Sequence, residues 1–152
     1  MKRETITPAF VDYIPGTLEE GTLYVSKKYG TAAHTCCCGC GVKIVTPLTP
    51  TDWKLTVSRG AVTLHPSIGN WNHPCQSHYF IRQNRVVWAG QMSGDEIDRG
   101  RTLDRKRKEA YFAAKQIASM APRSTSPTTN TSAPKANGWW NSVMEWLRSI
   151  FL

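Results

Sequence analysis

Cysteine is the residue whose spacing in this chain most directly indicates chemistry. Four of the five cysteines occupy positions 36, 37, 38 and 40, and the fifth is Cys75. Thiolates are soft ligands that favour tetrahedral zinc, and disulfides are rare in a reducing compartment. In an extended segment Cys36, Cys38 and Cys40 would share one face, because side chains alternate along a strand. The pattern therefore predicts zinc bound by four thiolates: Cys36, Cys38, Cys40 and Cys75.

Several other interpretations of this cluster are open at the level of sequence. The cysteines could be unpaired buried thiols or a redox pair, and His34 could replace one of them as a ligand. A set of four thiolates is closed, whereas a catalytic zinc keeps one position open for water or substrate. We therefore predict a structural metal. A zinc hydrolase with His34 and a water at the metal is the alternative.

Serine and histidine residues near the cysteines could form a peptidase site. A serine nucleophile needs a base within hydrogen-bond reach of its hydroxyl. If residues 75–81 form a strand, Ser77 faces the metal and His78 faces the other side, so these neighbours cannot easily pair. The same alternation carries His34 toward the metal. We therefore favour Ser77 with His34 as the catalytic dyad and keep His78 as a further candidate base.

The alternative nucleophile is Ser67, which we expect in a turn between Pro66 and Gly69. Its base would be His78 or His65. Asp52 could orient a histidine, although a role in a turn or a helix cap fits its position better, so no third member of a triad is predicted. Backbone N–H groups for an oxyanion could come from one of two pairs. These pairs are Gly39 with Gly41, and Gly69 with Asn70.

The elements that must position these residues read as short strands. Seven segments are rich in β-formers and bounded by turn residues: 22–26, 32–36, 42–47, 54–58, 61–65, 77–82 and 85–89. Residues 58–60 and 83–84 predict two tight hairpins. The fold class predicted is α+β, mainly β, with a small antiparallel zinc-stabilised sheet followed by one helix and a linked C-terminal amphipathic helix.

The C-terminal third of the chain differs in character from the part before it. The pattern of residues 99–120 predicts a helix. Its first half carries the densest basic cluster of the chain: Arg101, Arg105, Lys106, Arg107 and Lys108. This cluster is either a solvated helix face or a contact for an anionic partner. Residues 121–138 are rich in Pro, Ser and Thr and predict a disordered linker. Residues 139–152 place apolar side chains on one helical stripe, and this amphipathic helix would dock in a partner groove, on a membrane surface or on its own domain.

Composition and charge limit the remaining possibilities. We predict an N-terminal extension over residues 1–20 and one zinc-binding β-rich domain with its helix over residues 21–120. No export signal or spanning segment is evident, so a cytoplasmic protein is expected. The net charge of +8 divides evenly, +4 in residues 1–94 (9 basic minus 5 acidic) and +4 in residues 95–152 (10 minus 6). Because no domain-wide basic face is implied, we expect nucleic acid to be an unlikely partner.

Three segments of the chain carry a family resemblance. They are HTCCCGCGVKIVTPLTPTDW (34–53), LHPSIGNWNHPCQSHYFI (64–81) and NRVVWA (84–89). Together they resemble the BubE-type family encoded in bacterial ubiquitin-like conjugation operons. The family's H-x-C-x-C-G-C-G, P-S-I-G and C-x-S-H-Y runs are met within residues 34–41, 66–69 and 75–79. The resemblance covers about residues 21–89.

This resemblance implies a small zinc-containing serine peptidase that trims or releases a ubiquitin-like protein, beside an activating enzyme and a conjugating enzyme. We predict this function. A non-catalytic zinc module that recruits protein partners or nucleic acid is the alternative, since small thiolate-zinc folds more often recognise than catalyse.

Overall fold

The computed structural model describes residues 1–120, in which eight strands precede one helix. Residues Met1–Ser119 form one compact unit. The predicted linker, 121–138, and the predicted amphipathic helix, 139–152, lie outside the described residues. The elements in chain order are β1 (Thr7–Phe10), β2 (Thr22–Ser26), β3 (Thr31–Thr35), β4 (Lys43–Pro47), β5 (Lys54–Ser58), β6 (Ala61–Gly69), β7 (His78–Arg82), β8 (Arg85–Trp88) and α1 (Gly94–Met120).

The strands form two four-stranded sheets in simple order, β1-β2-β3-β4 and β5-β6-β7-β8. Every pair of neighbours is antiparallel except β1 with β2, which are parallel. The predicted class, mainly β with a helix at its C-terminal side, is confirmed. The strands form two sheets where one small sheet was predicted, because β4 and β5 do not pair with each other.

The N-terminal segment joins the two sheets. Thr5 forms an antiparallel bridge with Arg85 of β8. The backbone N–H of Ile6 donates to the carbonyl oxygen of Asn84 at 2.8 Å, and the Ile6 side chain is buried in the core. The chain then enters the other sheet as β1, alongside β2. Residues predicted as an extension therefore contribute a strand and a core side chain.

Both predicted hairpins are confirmed. Arg59 and Gly60 have φ values of 49° and 79°, and Gln83 and Asn84 have values of 49° and 64°. Positive φ at both central residues is the mark of a type I′ turn, whose twist matches that of the flanking strands. The Asn84 side-chain oxygen also accepts a hydrogen bond from the N–H of Val62 at 2.8 Å. This contact ties the second turn to the neighbouring strand.

The core lies between the sheets and is built from both of them. Its buried apolar residues include Leu23, Val25, Ala32, Ile44, Val62, Leu64, Ile68, Tyr79, Ile81 and Val86. Strand β6 is longer than the predicted segment 61–65, and its pairing with β7 shifts between Leu64 and Ile68, which marks a β-bulge. Ser67 therefore lies in this irregular strand, and the prediction that it sits in a turn is wrong.

Helix α1 begins five residues before the predicted start at residue 99. Ser93 and Glu96 form a capping box: the Ser93 hydroxyl accepts from the Glu96 N–H at 3.3 Å, and the Glu96 carboxylate accepts from the Ser93 N–H at 2.7 Å. The backbone donor at Ser93 also holds the pKa of Glu96 below its usual value. No side chain of α1 is buried. Among the described residues, no helix combines the length and the apolar character needed to cross a membrane.

Candidate functional site

The four neighbouring cysteines lie in the turn between β3 and β4. The Cys36 N–H donates to the Val42 carbonyl oxygen at 2.7 Å, and the Gly39 N–H donates back to the Cys36 carbonyl oxygen at 3.0 Å. Gly39 and Gly41 have φ values of 84° and 75°, a conformation that favours glycine. The expectation that residues 36–40 are extended is therefore wrong. A tight turn, rather than strand alternation, brings the thiols together.

The ligand atoms of the four predicted cysteines converge. The sulfurs of Cys36, Cys38, Cys40 and Cys75 all lie within 4.8 Å of one another. Around a tetrahedral zinc with bonds of about 2.3 Å, ligand sulfurs are about 3.8 Å apart, so the donor set fits such an ion. The remaining cysteine, Cys37, is buried in the core, and burial raises the pKa of its thiol to about 11. The four sulfurs can hold a metal ion and are compatible with zinc.

Ser77 and Asn70 lie against the sulfurs of this cluster. The Ser77 hydroxyl is 3.1 Å from the Cys36 sulfur and 3.6 Å from the Cys75 sulfur. The Asn70 side-chain amide donates to the Ser77 hydroxyl at 2.7 Å and to the Cys36 sulfur at 3.4 Å. Both side chains are buried. Ser77 thus faces the sulfur cluster, as predicted, but residues 75–77 precede β7 and Gln76 has a φ of 40°, so strand alternation is not the cause.

His34 does not pair with Ser77. Its Nε2 atom is 2.8 Å from the hydroxyl oxygen of Tyr79, which links β3 of one sheet to β7 of the other. The His34 ring is fully buried, its Nδ1 atom has no hydrogen-bond partner, and burial lowers its pKa to about 4. His34 is also outside the group of metal-ligating atoms. The preferred pairing of Ser77 with His34 is therefore not formed, because each side chain is engaged elsewhere.

The structure instead joins Ser67 to His78. The Ser67 hydroxyl oxygen is 3.0 Å from Nε2 of His78, and Nδ1 of the same ring is 3.0 Å from the carbonyl oxygen of Gly90. A carbonyl can only accept, so Nδ1 must carry the proton in the neutral ring. Nε2 is then an acceptor and the Ser67 hydroxyl donates to it. This is the arrangement of a nucleophile beside an oriented general base.

The Ser67–His78 pair opens into a cleft of about 350 Å³. Trp71 forms part of its wall, with its ring 5.0 Å from the His78 ring. A Cβ atom on Gly69 would lie 2.3 Å from the Trp71 indole nitrogen, so the close approach of the indole requires glycine there. The opposite wall is formed by α1. His65, the other base considered for Ser67, lines a different cavity.

Two of the N–H groups considered as oxyanion donors are already engaged. The Asn70 N–H donates to the Ser77 carbonyl oxygen at 2.9 Å, and the Gly39 N–H is held within the cysteine turn. The Asp52 carboxylate accepts a hydrogen bond from the Thr49 hydroxyl within its own turn and forms a salt bridge with Lys108 at 2.7 Å. It lines the cleft but does not orient a histidine. The group that orients His78 is a backbone carbonyl, which no residue type in the sequence could indicate.

Comparison with known families places these features in a context. A family model described as "Bacterial ubiquitination-like system serine protease (BubE)" matches residues 10–89, which is 80 of the 152 residues. The matched range contains the four converging cysteines, Ser67 and His78, and it ends before α1. Searches of curated proteins and of solved structures found no match.

Proposed function

The chain belongs to the BubE family of bacterial ubiquitination-like system serine proteases, and from this premise we propose that Ser67 and His78 cleave a ubiquitin-like protein. The observation that carries the assignment is the 3.0 Å hydrogen bond from the Ser67 hydroxyl to His78 Nε2, with Nδ1 held by the Gly90 carbonyl. None of the hydrogen-bond partners of the Ser77 hydroxyl is a histidine. The observation therefore supports Ser67 rather than Ser77 as the nucleophile.

The geometry supports a two-step acyl transfer. The Ser67 hydroxyl oxygen attacks the scissile carbonyl carbon while His78 Nε2 takes its proton, and the Gly90 carbonyl stabilises the imidazolium through Nδ1–H. The tetrahedral intermediate then collapses: the C–N bond breaks, and His78 returns the proton to the leaving amine. A water deprotonated by His78 next attacks the ester, which releases the carboxylate product and restores the Ser67 hydroxyl.

The same proposal assigns zinc a structural role. Cys36, Cys38, Cys40 and Cys75 would hold the ion, and a full thiolate set leaves no position for substrate. When bound, zinc supplies a crosslink between the β3–β4 turn and the segment before β7. Ser77 hydrogen-bonds these sulfurs and would stabilise the crosslink.

The substrate is proposed to be a ubiquitin-like protein, which the chain trims as a precursor or releases from a conjugate. The activating and conjugating enzymes of such a system are the further proposed partners, and the cytoplasm is the proposed location. Trimming a precursor hydrolyses a main-chain amide, and release from a conjugate hydrolyses a side-chain amide. The two reactions are chemically the same, so both substrates belong in one test.

The test is cleavage of a ubiquitin-like precursor and of its conjugate, followed by mass spectrometry, with Ser67→Ala and Ser77→Ala compared. We expect Ser67→Ala to lower the cleavage rate by about a thousandfold or more, because it removes the nucleophile. The variant should retain zinc, because the Ser67 hydroxyl contacts His78 and no cysteine sulfur. Ser77→Ala should keep the nucleophile but bind zinc more weakly. If Ser67→Ala cleaves as fast as the unmodified protein, Ser67 is not the nucleophile. If the unmodified protein cleaves neither substrate, a non-catalytic zinc module is the better reading.

A further inference from the structure

Helix α1 contributes a whole wall of the Ser67–His78 cleft although it lies outside the matched family range. Its cleft-lining residues recur every three or four positions and so form one stripe of the helix. The stripe consists of Ile97, Gly100, Arg101, Asp104, Arg107 and Lys108. A helix without a buried side chain is held here by a single face, and that face lies opposite the proposed nucleophile.

Two polar contacts fix the helix to the two rims of the cleft. Lys108 Nζ is 2.7 Å from the Asp52 carboxylate, in the turn before β5. Arg101 donates to the Asn72 side-chain oxygen at 2.7 Å, in the loop after β6. The Lys108 and Asp52 side chains are 35% and 20% exposed, so this pair is partly shielded from water. The helix is therefore placed across the cleft by specific contacts rather than by apolar burial.

Most of the charged groups on this wall have a polar partner, and Arg101 lies 3.6 Å from the Asp98 carboxylate. Lys108 is neutralised by Asp52 and also by Asp104 at 3.0 Å. Glu96, at the end of the cleft, is engaged in the helix cap. Within residues 1–120, Arg107 forms no salt bridge to a carboxylate. Of the arginines that line the cleft, only Arg107 thus lacks a carboxylate partner within the described part of the chain, and its guanidinium is available to a ligand.

Gly100 leaves open space on the same stripe. A Cβ atom at this position would meet no atom within 4 Å. Alanine would therefore fit, and it would stabilise the middle of a helix relative to glycine. Glycine leaves this part of the helix wall without a side chain, which gives room for a peptide main chain.

From these observations we infer that α1 is a substrate-binding wall and that Arg107 binds an acidic group of the peptide, an Asp or Glu side chain or a C-terminal carboxylate. This inference rests on the proposed function for the identity of the ligand as a peptide. Arg107 would act in recognition: a guanidinium binds a carboxylate through paired hydrogen bonds, and Gly100 leaves room for the main chain.

The test compares Arg107→Gln with Arg105→Gln, which removes the same charge from an exposed position of α1 that does not line the cleft. A library of internally quenched peptides, with Glu or Gln at each position in turn, gives kcat/KM for cleavage. We expect a preference of about tenfold for Glu at one position, the size typical of a charge-assisted hydrogen bond. Arg107→Gln should abolish this preference, Arg107→Lys should keep part of it and Arg105→Gln should keep all of it. Gly100→Leu should lower cleavage of every peptide.

A second measurement does not depend on turnover. The Ser67→Ala variant, combined with each arginine variant, is titrated into fluorescein-labelled Glu and Gln peptide pools and followed by anisotropy. Weaker binding of the Glu pool with Arg107→Gln alone supports the inference. Cleavage without acid preference, or equal binding by the Arg105 and Arg107 variants, overturns it and leaves the proposed peptidase intact. Absence of cleavage by the unmodified protein counts against the peptidase, and the anisotropy result then decides the role of Arg107.

Discussion

Replacing Asn70 with alanine should weaken zinc binding without disturbing the backbone around it. The Asn70 amide donates two side-chain hydrogen bonds, to the Ser77 hydroxyl at 2.7 Å and to the Cys36 sulfur at 3.4 Å. Its main-chain contacts, the N–H to the Ser77 carbonyl oxygen and the carbonyl oxygen to the His73 N–H, remain in the alanine variant. The substitution therefore removes support from the sulfur cluster and little else.

The expected magnitude follows from these two contacts. A neutral hydrogen bond contributes about 1 kcal/mol, and one to a charged acceptor somewhat more, but the contact to sulfur is long. The loss should total roughly 2 kcal/mol, which corresponds to about 30-fold weaker zinc affinity. This value lies within the range of 10–100-fold typical of groups that hydrogen-bond a metal ligand.

The assay is competition for zinc against a chromophoric chelator at fixed pH, with circular dichroism to follow the fold. Ser77→Ala should weaken affinity by a similar factor, and the double variant should lose less than the sum, because the two side chains bond each other. Ser67→Ala is the matched control, since its hydroxyl contacts His78 and not a sulfur. If Asn70→Ala binds zinc as tightly as the unmodified protein, the amide does not support the metal site and the reasoning is refuted.

Two further predictions concern the cleft. Gly69→Ala should displace the Trp71 indole, since the new Cβ would lie 2.3 Å from its nitrogen. We expect kcat/KM to fall while the zinc content, measured by elemental analysis, stays unchanged. An unaltered kcat/KM would show that the position of Trp71 does not matter for cleavage. Asp52→Asn should lower the free energy of unfolding at pH 7 by roughly 0.5 kcal/mol, as expected for a partly exposed ion pair. The hydrogen bond from Lys108 lowers the pKa of Asp52, so its contribution is present above the ordinary aspartate value of about 3.9 and fades as the pH falls through the lower folded value. Urea denaturation should show a larger difference at pH 7 than at pH 3, and an equal difference at both would contradict the ion pair.

The convergence of the four candidate ligands, Cys36, Cys38, Cys40 and Cys75, could be predicted from sequence because thiol chemistry is specific, but the predicted geometry was wrong. Strand alternation was expected to align Cys36, Cys38 and Cys40, whereas Gly39 and Gly41 at positive φ bend the chain into a turn. The same set of ligands results from either geometry. The identity of the ligands therefore depends on residue type, and their placement on the glycines.

The proposed nucleophile, Ser67, was harder to predict because its contact with His78 depends on pairing between strands. Ser77 and His78 do contact different groups, but Ser77 lies before β7 and Gln76 has a φ of 40°, so strand alternation does not explain the separation. Alternation also could not show which residue of β6 contacts His78. That pairing is set by the shift in register between Leu64 and Ile68, and the alternation of apolar and polar residues did not predict this shift. Strand β1 was missed for a related reason, since four residues containing Pro8 show no alternation of apolar and polar side chains.

The sulfur cluster lies on one side of the adjoining ends of β6 and β7, and the proposed dyad lies on the other side. In this arrangement a closed metal site can support the proposed peptidase site without taking part in the reaction. The segment 70–77 leaves β6 just after Gly69 and returns just before His78, and the Asn70–Ser77 contacts close its base. It carries Cys75, so a metal bound there restrains the base of the segment. Because Gly69 pairs with His78, the same restraint fixes the separation of Ser67 and His78. The metal can therefore order the dyad from the far side of the strands without contacting the substrate.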